Sequence, residues 1–431
     1  MSSLRRLGRV LATVVVLALA LIGLLSVTRG TPVRSVVTLS TREPPATTDS
    51  LFERTIELFT GTHIDPGNIV TPLLNGDATY SRLWADLRSA RRTVTVQMYY
   101  SLPGKVADTM AAVLTERARA KVRVLLLLDA FGSQHLDEKW REGLERAGVE
   151  VALLRQVGWY SIHNASDRSH VRAVVVDGRV GYTGGFGLAD YWLGDGHQDG
   201  QWRETNVRFE GPAVMQLQAA FAAAWAEATG ELLTGRIFFP NDGFRPKGPV
   251  HAGLLFTAPT IGSTPAERFL ALTISASRKR LYIANSYFVP DDDFRALLIR
   301  AAQRGVDVRV LTVSANTDVK TTWYAGRHRY EELLKGGVRL FEYQPTMMHS
   351  KTIVVDGVYG TIGSMNFDNR SLAFNNESNL VIFDAGVAAQ MDSAFLDDLH
   401  HSKEILLREF QKRTIWMKAT ETVAALISRL L

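Results

Sequence analysis

Three regimes of hydrophobic patterning follow one another along this chain. Near the N-terminus, VLATVVVLALALIGLLSV (Val10 to Val27) runs 18 residues without a charge, behind Arg5, Arg6 and Arg9. A bilayer span takes roughly 17–25 apolar residues, and the following SVTRG offers no A-x-A-like cleavage site. Residues 1–29 are therefore expected to be a retained membrane anchor rather than a cleaved signal or a core helix. The arginines ahead of the run would hold that end in the cytoplasm and place the bulk of the chain outside, with Arg29 and Arg34 on the other flank working against this orientation. Residues 30–65 change character: a stretch rich in Thr, Ser and Pro reads as a tether, and LFERTIELF after it as a short amphipathic helix.

From Pro66 the pattern becomes alternating strands and helices, and it does so twice. VTPLLNGDATYSRLWADLRSARRTVTVQMYY and LLFTAPTIGSTPAERFLALTISASRKRLYIANSYF each give strand, amphipathic helix, strand. MAAVLTERARAKVRVLLLLDA and FRALLIRAAQRGVDVRVLTVSA then give helix, turn, strand, and LERAGVEVALL and LLKGGVRLFEY repeat that order. Such alternation predicts parallel or mixed sheets covered by helices, here as a duplication. A Gly- and Pro-dense stretch, Pro240 to Pro249, separates a first domain at 66–240 from a second at 250–431. The fold class expected is α/β: two tandem repeats, each a mixed sheet flanked by helices, related by a pseudo-twofold axis, with an N-terminal transmembrane helix.

Composition changes this picture in two ways. The chain has 431 residues and no cysteine, so disulfides, thiolate catalysis and cysteine-ligated zinc are excluded. Its net charge of +5 points weakly to anionic partners such as phospholipid surfaces or nucleic acid.

The chemistry sits in two matching stretches about 180 residues apart, HVRAVVVDG from His170 and HSKTIVVDG from His349. Residues i and i+2 of a strand share a face, so His170 with Arg172, and His349 with Lys351, are expected to point to one surface. Asp177 and Asp356 each precede a glycine and a second strand-like run, a strong hairpin signal. A hairpin accounts for the aspartates but not for a histidine and a cation repeated at the same places. Two imidazoles, each beside a fixed positive charge, suit phosphodiester transfer: one attacks phosphorus and the other protonates the leaving oxygen. The cations offset charge on the non-bridging oxygens. No metal-ligand spacing is visible, and no cofactor is expected.

HSKTIVVD (His349 to Asp356), GSMNFDNRS (Gly363 to Ser371) and AFNNESNLVI resemble the phospholipase D superfamily, whose half-site is His-x-Lys-x4-Asp followed by Gly-Ser/Gly-x-Asn. With VTPLLNGDATY, ANSYFVPDDD and WRETNVRFEGPAVMQLQAAF, the chain is most similar to bacterial cardiolipin synthases, from about Pro66 to its end. The resemblance implies a catalytic set of His170, Arg172, Asp177, His349, Lys351 and Asp356, supported by Glu204, Ser364, Asn366 and Glu377. It implies that Glu377 orients a histidine and that Glu204 pairs with the histidine of the first half, His170. The first half departs from the family pattern: Arg172 stands where lysine is usual, and GGFGLAD puts Gly187 where asparagine is usual.

The function expected is transfer of a phosphatidyl group between phosphatidylglycerol molecules through a phosphohistidine intermediate, at a membrane, with the catalytic region outside the cytoplasm. A hydrolytic phospholipase D, a nuclease of the same superfamily and a non-catalytic membrane-surface binding protein are the alternatives, nucleic acid being the least expected partner. Tyr287 and Phe288 are candidates to wall an acyl channel or to pack, His163 to line the pocket or a loop, and His400 and His401 to be solvated. The tail WMKATETVAALISRLL is expected to pack on the second domain or to touch the membrane interface.

Overall fold

The computed structural model describes residues 2–28, 33–37, 44–156, 168–260 and 262–426. In the first half, β1 (Asp65–Leu74), β2 (Thr93–Met98), β3 (Arg123–Asp129) and β4 (Glu150–Leu154) precede the hairpin of β5 (Ala173–Val176) and β6 (Val180–Thr183). A two-residue β7 (Trp202–Arg203) and β8 (Thr205–Glu210) close it. The second half repeats the series: β9 (Val250–Thr257), β10 (Arg280–Asn285), β11 (Asp307–Val313) and β12 (Arg339–Tyr343) come first. The short β13 (Met347–Met348), the hairpin of β14 (Lys351–Val355) and β15 (Tyr359–Gly363), β16 (Glu377–Phe383) and an edge strand β17 (Ser402–Glu404) follow.

Fifteen of these strands form one continuous mixed sheet, in the order β17-β12-β11-β10-β14-β15-β16-β9-β1-β8-β6-β5-β2-β3-β4. Read outward from the β9–β1 seam, the two sides run through equivalent strands in the same sequence. The seam itself is antiparallel, pairing Asp65 with Ala252 and Asn68 with Val250, which is what a twofold axis between two repeats produces. Parallel neighbours such as β2–β3 and β10–β11 require crossover helices. Those are Lys105–Arg119 in the first half and Asp292–Gln303 in the second.

Both faces of the sheet are covered, so the central strands carry apolar residues on both sides. Val94, Val96, Leu126 and Val174 pack with Leu83 and Leu114, which come from the helices on one face. Leu125 and Leu127 meet Phe221 and Trp225 of the helix Ala213–Thr229 on the other. Leu281, Ile283, Val310 and Ile353 with Phe269 and Leu298 make the equivalent layer of the second half. Helix starts follow local chemistry: Thr264 and Glu267 form a reciprocal capping box with Pro265 in the first turn, and Asp291 accepts the Phe294 N–H.

The amphipathic helix expected from LFERTIELF is Ser50–Thr60, and its Phe52 and Ile56 join the core of the second half. The C-terminal helix Ile415–Leu426 packs on the helix Lys320–Lys335, where buried Glu421 meets Arg327 and Arg413, and it leaves Ile415, Trp416, Val423 and Leu426 exposed. A helix spans Ser2–Thr28; among the described residues no helix is long and apolar enough to cross a membrane.

Candidate active site

The two motif strands deliver their side chains as the period of two requires. His170 and Arg172 lead into β5, His349 and Lys351 into β14, and both histidines line one cavity of about 280 Å³. Aromatic rings of Tyr99, Tyr100, Trp192, Trp202 and Tyr287 wall it, and Asn366, Asp318 and Arg370 add polar lining. Arg172 and Lys351 lie beneath the histidines, each 1% exposed. The Arg172 guanidinium donates to the carbonyls of His170 (2.6 Å) and Phe186 (3.2 Å) and faces the Tyr99 ring at 5.3 Å. The Lys351 ammonium donates to the His349 carbonyl and to the Ser286 hydroxyl (2.8 Å). Each cation thus props the backbone of its own histidine while keeping its charge beside the cavity.

The acids pair across the halves, contrary to the expectation that Glu204 serves His170. Nδ1 of His349 lies 2.5 Å from Glu204 Oε2, and Nδ1 of His170 lies 2.8 Å from Glu377 Oε2. The backbone explains the crossing. β13 runs parallel to β7, so that Met348 aligns with Arg203 and the His349 N–H donates to the Arg203 carbonyl at 2.7 Å. The equivalent bridge in the other direction aligns Ser169 with Asn376, and the His170 N–H donates to the Asn376 carbonyl at 2.9 Å. Each histidine therefore enters the site beside the residue that precedes the other half's glutamate.

Burial sets the electrostatics. It pushes both imidazoles well below their usual range, with Arg172 and Lys351 adding to the effect. It raises Glu204 to about 7 and Glu377 to about 8 against the pull of the cations and of hydrogen bonds, and it brings Lys351 down to about 7. Burial disfavours the ionised form of every partner, so each His–Glu pair titrates as a unit rather than as two independent groups. With Nδ1 committed to glutamate, Nε2 is the ring nitrogen left for the cavity.

Ser364, expected at the site, donates to Glu377 Oε2 at 2.6 Å, and Asn375 supports the other oxygen. Asn366 lines the cavity with its buried Oδ1 unpartnered by the protein. Asp177 and Asp356 are not at the site, which corrects their place in the expected catalytic set. They lie at the far ends of their strands, roughly 20 Å of extended chain from the histidines, in turns with positive φ (53° and 54°). Asp177 accepts the backbone N–H groups of Arg91, Arg92 and Thr93, and Asp356 those of Arg278, Lys279 and Arg280. They tie the hairpin to the start of the neighbouring strand. Tyr287 lines the cavity and donates to Asp318 at 2.7 Å, whereas Phe288 packs in the core against Phe367. His163 lies outside the described residues. Trp192, Trp202, Tyr99 and Tyr100 were not among the expected site residues. Tyr100 was nevertheless legible, because QMYY occupies in the first repeat the place of ANSYF in the second.

A doubled mixed sheet with two crossed His–Glu pairs over two buried cations defines a two-repeat protein of the phospholipase D-like class. The fold agrees with phosphatidylserine synthase from Haemophilus influenzae (TM-score 0.69, 12% identity, 89% of this chain and 100% of that one). It also agrees with polyphosphate kinase from Porphyromonas gingivalis (TM-score 0.52, 11% identity, 79% of this chain and 49% of that one). A family model described as cardiolipin synthase, PLD-like domain, matches residues 270–399. Cardiolipin synthase from Geobacillus kaustophilus is 33% identical over 360 residues, covering 83% of this chain and 72% of that one. Cardiolipin synthase A from Pseudomonas putida is 33% identical over 365 residues, 84% and 75%. The chain belongs to the cardiolipin synthase family.

Proposed function

We propose that this protein is a phosphatidyltransferase that joins two phosphatidylglycerol molecules into cardiolipin, releasing glycerol. The observation that carries the reading is the pair of histidines in one cavity, each backed by a glutamate from the other half and a buried cation from its own. In the first step Nε2 of one histidine attacks phosphorus, the bond from phosphorus to the glycerol headgroup oxygen breaks, and the other imidazole gives that oxygen its proton. The phosphatidyl group is then held on the first histidine. In the second step that imidazole, its Nε2 now free of the proton it gave, takes the proton of an incoming phosphatidylglycerol hydroxyl, whose oxygen displaces the histidine from phosphorus. Arg172 and Lys351 offset charge on the non-bridging oxygens in both steps. Asp177 and Asp356 are left out of the chemistry, and the two repeats act as one catalytic unit.

The reading includes a membrane anchor. What supports it is in the sequence: the uncharged run Val10 to Val27 has 18 residues, within the roughly 17–25 that a span takes. In the helix Ser2–Thr28 nine large apolar side chains from Leu7 to Leu21 are half or more exposed, as lipid contact would require. Arg5, Arg6 and Arg9 favour a cytoplasmic N-terminus, with the catalytic region outside.

The test is product analysis with the purified full-length protein in detergent micelles containing phosphatidylglycerol labelled in the glycerol headgroup. Cardiolipin and free glycerol in equal amounts are expected. Phosphatidic acid with glycerol would make the protein a hydrolytic phospholipase D instead, and no lipid product would overturn both readings.

A further inference from the structure

The first repeat lacks two side chains that serve the second. Where the second has Ser364 and Asn366, the first has Gly185 and Gly187. Neither glycine has a positive φ, so the backbone does not demand them, and the space around them shows what does. A Cβ on Gly187 would lie 2.7 Å from the Tyr100 carbonyl and 2.8 Å from a ring carbon of Trp192. A Cβ on Gly185 would lie 2.3 Å from Glu204 Oε2. The indole has moved into the space of the asparagine, and the carboxylate has moved into the space of the serine. Trp192 Nε1 then donates to Glu204 Oε2 at 3.3 Å, the same oxygen that faces His349. Its counterpart is the Ser364 hydroxyl on Glu377 Oε2, the oxygen that faces His170. The indole also packs edge-on against the His349 ring, with centroids 5.4 Å apart.

We propose that Trp192 is the positioning residue of the altered repeat: its indole N–H replaces the missing serine hydroxyl in aiming Glu204 at His349, and its ring replaces the missing asparagine. The first repeat is rebuilt, not decayed. A donor on Glu204 favours its carboxylate form, and Trp192 is among the groups that pull the pKa of this buried acid down against its burial.

The inference rests on phosphatidyl transfer for its kinetic arm only; its spectroscopic arm needs no turnover. Trp192→Phe keeps most of the ring and removes the donor. The acid limb of the pH–rate profile should move up by about half to one pH unit, the worth of one buried hydrogen bond. The kcat should fall severalfold with KM unchanged. A packing role alone would leave the limb where it is, so an unmoved limb overturns the proposal. In the wild-type frame, Glu204→Gln should shift the Trp192 indole N–H resonance. An unchanged resonance refutes the contact whether or not the Trp192 variant folds and whether or not cardiolipin is the product.

Discussion

Replacing Arg172 tests whether the altered motif still holds a phosphate. Arg172 is buried, its guanidinium shared between the carbonyls of His170 and Phe186 and set against Tyr99. In Arg172→Lys the ammonium keeps its charge and can reach the His170 carbonyl as Lys351 reaches that of His349. It loses the Phe186 contact and the planar face toward Tyr99, and a tyrosine ring stands where Lys351 has the Ser286 hydroxyl. One lost hydrogen bond at about 1 kcal/mol and part of a cation–π contact at roughly 0.5–1 kcal/mol predict about a tenfold fall in rate, near 1.4 kcal/mol of barrier. Arg172→Ala removes the charge and should cost about 10²–10³ in rate. Lys351→Ala, its counterpart, should cost as much. The assay is the initial rate of cardiolipin and glycerol formation by full-length variants in identical micelles, with thermal melts as the folding control. Arg172→Ala at near wild-type rate beside an inactive Lys351→Ala would show that Arg172 touches no developing charge, and the two-cation mechanism would have to be given up.

Asp177→Ala and Asp356→Ala each strip three backbone N–H groups of their acceptor; each should lower unfolding free energy by about 1–3 kcal/mol and leave kcat per folded molecule within a fewfold. A hundredfold loss of kcat at unchanged Tm would return them to the catalytic set. Lys351→Met should abolish turnover, and its stability relative to the wild type should be greatest near pH 6, since a cation that burial disfavours is removed. The ammonium is depressed to about 7 in the fold, so wild-type stability from this group rises with pH between about 7 and its ordinary value, and the advantage of the Met variant should fade across that window in denaturant titrations; an advantage that grows with pH would contradict the burial assignment. Glu377 is raised to about 8, so its contribution is full below the ordinary carboxylate range and is lost as pH rises through about 8. Glu377→Gln should flatten that fall, and the same variant should shift the ¹⁵N resonances of His170 and leave those of His349 in place.

The strands and the repeat were legible because a sheet covered on both faces writes near-continuous apolar runs, such as AVVV and TIVV, bounded by Asp-Gly turns. Histidine and cation were legible for the same reason: the period of two fixes their common face before any tertiary contact exists. The aspartates were misassigned because the motif is contiguous in sequence but runs the length of a strand in space, with chemistry at one end and a turn at the other. The crossing of the acids was not legible at all. It depends on Met348 lying beside Arg203 and Ser169 beside Asn376, pairings between halves that no periodicity within either half encodes. Trp192 escaped notice because it closes a short 3-10 turn, Asp190–Trp192, and only the space over Gly187 gives it meaning.

The crossing also changes what the departures in the first repeat can mean. His349 sits in the intact motif, yet its acid and the rings around it (Glu204, Trp192 and Trp202) all come from the altered repeat. His170 sits in the altered motif, yet its acid is held by Ser364 and Asn375 of the intact repeat. Neither histidine has an environment drawn from one half. A repeat that drifted without constraint would have degraded the surroundings of the other repeat's histidine, and the geometry of Glu204 on His349 would have been the first thing lost. That geometry is present, with a donor of a different kind supporting it. Arg172 and Gly187 are therefore read as one side of a matched set, each accommodated by an aromatic neighbour, Tyr99 for the arginine and Trp192 for the glycine. The asymmetry they create is chemical: an ammonium, a serine and an asparagine on one side of the cavity, a guanidinium and two rings on the other. Under the proposed transfer, the lipid that gives the phosphatidyl group and the one that accepts it would meet two different walls there.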